Sequence, residues 1–356
     1  MAVSQSLQIK NILAEAISQG AADLHFSVGN APAMRLGGNL VEMADRAIIT
    51  QEFMEDFIGI LLSEEQRKKL EDRRELIITF DFDRNLRFKI NIFYQRSFLS
   101  ATLRYIPAKV PTISALGLSP IVKQLAALDR GLIIVSGPFG SGRSTTAAAI
   151  IEEINQTRKK YIITIEDPIE YVFNNSQSII EQRQIGQDTR SFVDALGYFE
   201  EENGDVLFVE EMEDITVIPL VLEIARGGSL VISSLSAASA SNTVARILDS
   251  FQSFDQERIR NLLATALKAV ICQRLLPKIG GGSVVVQEIM TVNSAIQSII
   301  SSGNYTQIDD IIRTSRSEGM APFDQELAQL VRDRIITREE ALNNAADKSR
   351  MEEWIK

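Results

Sequence analysis

The spacing of hydrophobic positions changes several times in the first hundred residues. Leu7, Ile9, Ile12, Leu13, Ala16 and Ile17 recur at helical spacing, and Gly20 closes that run. "DLHFSVG" and "PAMRLGGNLVEM" read as short strands with a turn at Gly37–Gly38. "TQEFMEDFIGILLSEEQRKKLEDR" predicts two consecutive helices. Thr50 suits the cap of the first, but Phe53 stands where a capping box needs Glu or Gln. "ELIITFDF", "LRFKINIFYQ" and "LSATLRYI" are β-rich and alternate, which predicts a three-stranded meander. Residues 1–106 are therefore expected to form a small α+β domain. Pro107, Pro111 and Pro120 disfavour regular structure, so 107–120 reads as a linker.

From 121 to 356 the pattern is different. "GLIIVSG", "YIITIED", "DVLFVEE" and "SLVISSL" are continuous apolar runs, the mark of strands buried on both faces of a parallel sheet. Helical stretches at 144–157, 190–200 and 215–226 lie between them. Strands alternating with helices imply an α/β doubly wound sheet. Beyond about residue 255 the chain reads as mostly helical, apart from a glycine turn into one strand at "GGGSVVVQEIM". Cys272 falls in this stretch and reads as a small buried side chain of an apolar helix.

Composition narrows the functions available. With 37 Lys and Arg against 47 Asp and Glu the net charge is −10. That is a poor basis for broad nucleic-acid binding, which depends on neutralising phosphates. One cysteine and one histidine, His25, exclude an internal disulfide and any paired-histidine metal motif. The N-terminus lacks the basic start and apolar core of a signal peptide. The longest apolar runs fall short of the roughly 18–20 residues of a membrane span. The expectation is a cytoplasmic chain without direct membrane insertion, peripheral at a membrane through a partner.

The sharpest chemistry lies at "SGPFGSGRST". A Walker A loop is G-x-x-x-x-G-K-[ST], and Gly137, Gly142 and Ser144 occupy its places. The strand before it and the helix after it are the context the motif needs. Glycines, Gly140 among them, let successive N–H groups turn inward around an anion, and the helix adds its positive end. Ser144 is placed to offer a hydroxyl to Mg²⁺. Arg143 stands where the motif has lysine. Arginine keeps the charge but presents a longer planar fork. Nucleotide binding is expected to tolerate it better than phosphoryl transfer, where a misplacement of about 1 Å can cost on the order of 100-fold. Two acidic clusters end apolar strands further on. They are Glu166, Asp167 and Glu170 in "TIEDPIEY", and Glu210, Glu211, Glu213 and Asp214 in "VLFVEEMED". An acid at such a strand end is the Walker B pattern.

Together, "GLIIVSGPFGSGRSTT", "YIITIEDPIEY", "DVLFVEEMED", "SLVISSLSAASASNTVARILDSF" and "KIGGGSVVVQEIM" resemble the type II/IV secretion ATPase superfamily, closest to the PilT-type retraction ATPases of type IV pili. "AADLHFSVGNAPAMRLGG", "TLRYIPAKVPTISALGL" and "EGMAPFDQELAQLVRDRIITREEAL" extend the likeness over nearly the whole chain. The resemblance implies a PAS-like N-terminal domain, a RecA-like P-loop core with C-terminal helices, and a ring-shaped homohexamer or a mixed ring with an active paralogue. It implies ATP or ADP with Mg²⁺ as ligands and an inner-membrane pilus platform protein as partner. By the same resemblance Gly137, Gly140, Ser141, Gly142, Arg143, Ser144 and Thr145 form the phosphate loop. Glu170 matches the catalytic carboxylate, Glu211 the Walker B glutamate, and Arg87 and Arg104 the arginines that approach the phosphates. Taken alone, each of those two arginines reads as a solvated strand residue.

The departures from the family pattern are equally specific. Arg143 replaces lysine, Glu210 a glycine, Glu213 an arginine and Gln187 a basic residue, and Ser229 and Ser236 stand in place of two histidines. Like charges weaken a phosphate site. The expectation is a motor-family subunit with impaired ATP hydrolysis and an accessory role in pilus retraction and twitching motility. A fully active retraction motor, or an ATPase of a related type II secretion system, remains the alternative.

Overall fold

The computed structural model describes residues 2–37, 39–83 and 86–355, the side chains of 2–6 excepted. Two compact units emerge: Met1–Lys109 with Pro168–Val172, and Val110–Asp167 with Phe173–Lys356.

The first unit runs α1 (Ala2–Ser18), β1 (Asp23–Ser27), β2 (Ala33–Leu36), β3 (Asn39–Glu42), α2 (Gln51–Leu61), α3 (Glu64–Arg73), β4 (Glu75–Asp81), β5 (Arg87–Gln95) and β6 (Phe98–Ile106). Its strands form one antiparallel sheet in the order β3-β2-β1-β6-β5-β4. The apolar faces of α1 (Ile9, Ile12, Leu13) and α2 (Met54, Phe57, Ile58) cover the inward strand residues Leu24, Phe26, Phe88, Ile90 and Ile92. Thr50 caps α2 by accepting from the Phe53 N–H at 3.1 Å. Ser63 and Gln66 form a full capping box on α3, legible in "SEEQ" though not anticipated. Gly38 of the anticipated turn lies outside the described residues.

The second unit opens with α4 (Ile121–Ala126), β7 (Gly131–Ser136), α5 (Arg143–Thr157), β8 (Tyr161–Glu166), β9 (Ile179–Gln184), α6 (Phe192–Tyr198), β10 (Val206–Val209), α7 (Val217–Gly227) and β11 (Leu230–Leu235). It continues with α8 (Ala240–Asp249), α9 (Ser253–Ala266), β12 (Leu267–Pro277), β13 (Ser283–Thr291), α10 (Ser294–Ser302), α11 (Ile308–Thr314), α12 (Phe323–Arg332), α13 (Arg338–Asn344) and α14 (Lys348–Trp354). The sheet order is β13-β12-β7-β11-β10-β8-β9, parallel except for β13. Alternate residues of β7 feed two cores. Leu132 and Ile134 pack with α6 to α11, and Ile133 and Val135 with α4 and α5. Helices α12 to α14 close over Leu276 and Val286. Among the described residues no helix is long and apolar enough to cross a membrane.

One sequence expectation needs correction, and one strand was not anticipated. Leu267–Pro277 is an eleven-residue strand and not a helix, so Cys272 is a strand residue. The strand lies between β7 and β13 and is buried through Ala269–Gln273. A run buried on both faces carries no alternation, so periodicity cannot separate it from a buried helix. Ile179–Gln184 is a sixth parallel strand at the sheet edge, in a segment to which the sequence pattern assigned no element.

Candidate functional site

The loop that follows β7 is fixed by what surrounds its backbone. Gly137 has φ +151°, and a Cβ there would lie 2.4 Å from both the Gln273 carbonyl oxygen and the Ser141 hydroxyl. No other residue type fits without displacing one of them. Gly142, at φ +88°, turns the chain into α5 in the left-handed region. The α5 N-terminus has no side-chain cap from Gly142, and a helix start directs its first N–H groups and the positive end of its dipole toward the loop. Gln273 of β12, fully buried, braces the loop. Its amide nitrogen donates to the Ser141 carbonyl at 2.8 Å, and its amide oxygen accepts from the Thr146 hydroxyl at 2.9 Å. Thr243 of α8 donates to the Ser136 hydroxyl at 2.9 Å, fixing the strand end from which the loop departs. Gln273 was missed because its segment reads as helical, and a lone glutamine in an apolar run carries no motif.

The parallel strands deliver their carboxyl ends, Ser136, Glu166, Val209 and Leu235, to one edge of the sheet, where ligands sit in this architecture. There Arg143 Nη1 meets Glu211 Oε1 at 3.3 Å, so the residue in the lysine place and the acid that the resemblance matched to Walker B form an ion pair. The acids beside Glu211 have other partners. Glu210 accepts the Asp167 N–H at 2.6 Å. Glu213 pairs with Arg246 at 2.7 Å. Asp214 accepts both the backbone N–H and the hydroxyl of Thr216, which holds its carboxyl below the usual range. The two carboxylates that the sequence suggested would repel a phosphate are thus engaged. Ser229 and Ser236 flank β11 at its two ends, so only Ser236 lies at the loop edge. Ser229 donates to the Gly204 carbonyl at the other edge. Gln187 sits in the turn after β9, and Arg183 pairs with Glu202 at 2.6 Å.

Glu170 belongs to the first unit, in the segment Pro168–Val172. Arg87 donates to the carbonyls of Ile169 and Glu170 at 2.8 Å each, and to Asp81 at 2.6 Å. Lys89 Nζ lies 2.7 Å from the Glu170 carboxylate. Lys89 shares a sheet face with Arg87, two residues away, and stands directly opposite Arg104 on β6. Arg104 donates to Asp23 at 2.8 Å. Three cations therefore share one face. Lys89 was not among the anticipated residues, although i, i+2 alternation from Arg87 points to it. The predicted residues thus fall into two groups, one per unit: Arg87, Arg104 and Glu170 in the first, the loop 137–145 and Glu211 in the second.

A polar row runs beneath the loop. Ser136, Cys272 and Glu288 are successive partners on β7, β12 and β13. Burial pushes the Cys272 thiol up to about 12, so it is no nucleophile at neutral pH. Burial also pushes Glu288 up to about 7, opposed by its bond from the Ala240 N–H at the start of α8.

A parallel sheet flanked by helices, with a glycine loop between its inner strand and a helix, defines an α/β protein with a RecA-like P-loop core, here joined to a smaller N-terminal α+β domain. The chain belongs to the type II/IV secretion system protein family, whose model matches residues 3–283, and within it to the PilT-like pilus motor proteins. It is 36% identical to the type IV pilus retraction ATPase PilT of Pseudomonas aeruginosa over 339 residues, 95% of this chain and 98% of that one. It is 36% identical to a twitching motility protein of Neisseria gonorrhoeae, over 90% of this chain and 86% of the relative. The crystal structure of the pilus retraction motor PilT with bound ADP superposes with a TM-score of 0.84 at 39% identity, covering 96% of this chain and 98% of that one.

Proposed function

We propose that this chain is a nucleotide-binding subunit of a pilus-retraction ring, a homohexamer or a mixed ring with an active paralogue, in which ATP hydrolysis is impaired. The phosphate loop 137–145 takes the phosphates of ATP or ADP. Mg²⁺ would be held by the Ser144 hydroxyl and the Glu211 carboxylate. Two protein oxygens are a fitting set, because Mg²⁺ in such sites takes its remaining ligands from phosphate and water. Among the described residues no cluster of three His, Cys, Asp or Glu would hold a metal by itself, so the ion would enter with the nucleotide. When bound it neutralises charge building on the transferred phosphoryl group.

One observation carries the impairment: Arg143 is turned onto Glu211. A lysine reaches the β- and γ-phosphates as a point charge, whereas this guanidinium rests across the strand ends and, when drawn onto a phosphate, meets it as a longer planar fork in a different position. Glu170, the candidate for polarising the attacking water, is held in an ion pair by Lys89. A subunit that binds nucleotide without turning it over would regulate its neighbours in the ring. The ring's partner at the inner membrane would be the pilus platform protein.

The reading of a fully active motor has one observation in its favour. Glu213 is paired with the Arg246 cation, so it burdens the phosphate site less than its charge suggests. Nucleotide binding and phosphate release of the parent, Arg143→Lys and Glu211→Gln separate the two. Binding in the parent with turnover restored in Arg143→Lys supports impairment. Turnover in the parent that Glu211→Gln abolishes overturns it.

A further inference from the structure

The Arg143–Glu211 pair lies entirely within the second unit, between the first residue of α5 and the end of β10. Strands β7 and β10 are separated by β11, so their ends stand about 10 Å apart at ordinary strand spacing. The long guanidinium arm bridges that gap, and its side chain keeps only 16% of its surface exposed. The neighbouring acids do not compete for it: Glu210 takes the Asp167 N–H, Glu213 takes Arg246, and Asp214 takes Thr216.

We propose that this pair makes the loop selective for magnesium-complexed nucleotide over the free nucleotide. The inference rests on the loop being a nucleotide site. Its physical basis is an exchange of partners. A phosphate chain arriving alone draws Arg143 away and leaves the Glu211 carboxylate unpaired beside added negative charge. Close like charges of this kind are costly and only partly screened. A phosphate chain arriving with Mg²⁺ gives Arg143 an anion and Glu211 a cation in one step, so neither charge is abandoned. The pair acts as a resting occupant that only the complexed ligand replaces in full.

Calorimetric titration with ADP, once in EDTA and once in excess MgCl₂, tests this. The proteins are the parent, Glu211→Gln, Arg143→Gln and the double variant, each checked for unchanged unfolding temperature. Glu211→Gln is expected to bind free ADP several-fold more tightly than the parent and to lose most of the Mg²⁺ enhancement. In the Arg143→Gln background the same Glu211→Gln change is expected to give a smaller gain, because no arginine is released. A gain equal or larger in that background means simple repulsion between Glu211 and phosphate, and overturns the pair mechanism. An unchanged Mg²⁺ effect in Glu211→Gln overturns it as well. If no protein binds ADP under either condition, the nucleotide-site reading fails and the proposal with it. Binding with additive effects removes only the pair.

Discussion

The glycine loop after β7 and the acidic rim facing it lie on the same sheet edge, yet they are held in opposite ways. The loop is fixed from beneath by fully buried groups, Gln273 against Ser141 and Thr146, and Thr243 against Ser136. The rim is held by half-exposed ion pairs. The Glu211 side chain is 44% exposed in its pair with Arg143, and Glu213 is 40% exposed in its pair with Arg246. Buried, mutually satisfied groups define one geometry. Exposed pairs contribute little and exchange partners readily. The backbone that would receive phosphate is therefore over-determined, while the charges that would act on it are adjustable. A family member can change its rim chemistry and keep its loop.

The largest effect expected is at Gly137. Gly137→Ala adds a methyl 2.4 Å from two atoms in a conformation that L residues rarely adopt. Strain and overpacking together should cost about 4 kcal/mol, read as a lowered urea midpoint. Unchanged stability would mean that the loop is loose, and the contrast with the rim would collapse.

Glu288, in the row beneath the loop, should show itself in pH dependence. Its carboxyl is raised from 4.5 to about 7 in the folded chain. The folded state then holds a proton that the unfolded state releases. The associated stability is full below about pH 4.5 and is lost as pH rises through 7. At 1.36 kcal/mol per unit the difference is about 3 kcal/mol. Glu288→Gln keeps an acceptor for the Ala240 N–H and removes the titration. It is expected to be more stable than the parent at pH 8, with a flatter profile of unfolding free energy between pH 4 and 8. Parallel profiles would refute the burial argument.

Gln273→Leu sharpens the comparison further. It leaves the Ser141 carbonyl and the Thr146 hydroxyl without this partner in a buried site, which should cost about 2 kcal/mol. Nucleotide affinity should fall with it, because the loop loses its brace. At the rim, Glu213→Gln removes a pair exposed by more than a third at both ends. The change in chemical denaturation should stay under about 1 kcal/mol after solvent screening. A rim variant more damaging than Gln273→Leu would invert the assignment of rigid and adjustable regions.

Sequence reading reached most of the second sheet, because "GLIIVSG" or "SLVISSL" can hardly be anything but a buried strand between helices. It failed at "LKAVICQRLLP" because burial on both faces erases the alternation that marks a strand, and the preceding helix biases the reading. The glycines and Ser144 were legible since the motif is local. The partners of the acids were not. Arg246 lies 33 residues from Glu213, Arg143 68 from Glu211 and Lys89 81 from Glu170, so only the fold brings them together. The charge of Glu213 is offset by Arg246 in a way that no local pattern shows. Ser229 was grouped with Ser236 because the resemblance places both at histidine positions, although a whole strand separates them.

The most direct test is phosphate release at saturating ATP and Mg²⁺, measured side by side for the parent and Arg143→Lys, with bound nucleotide quantified in both. The parent should bind nucleotide yet turn over at least about 100-fold more slowly than Arg143→Lys. Equal turnover in the two proteins, abolished by Glu211→Gln, would contradict the impairment that Arg143 is held to impose.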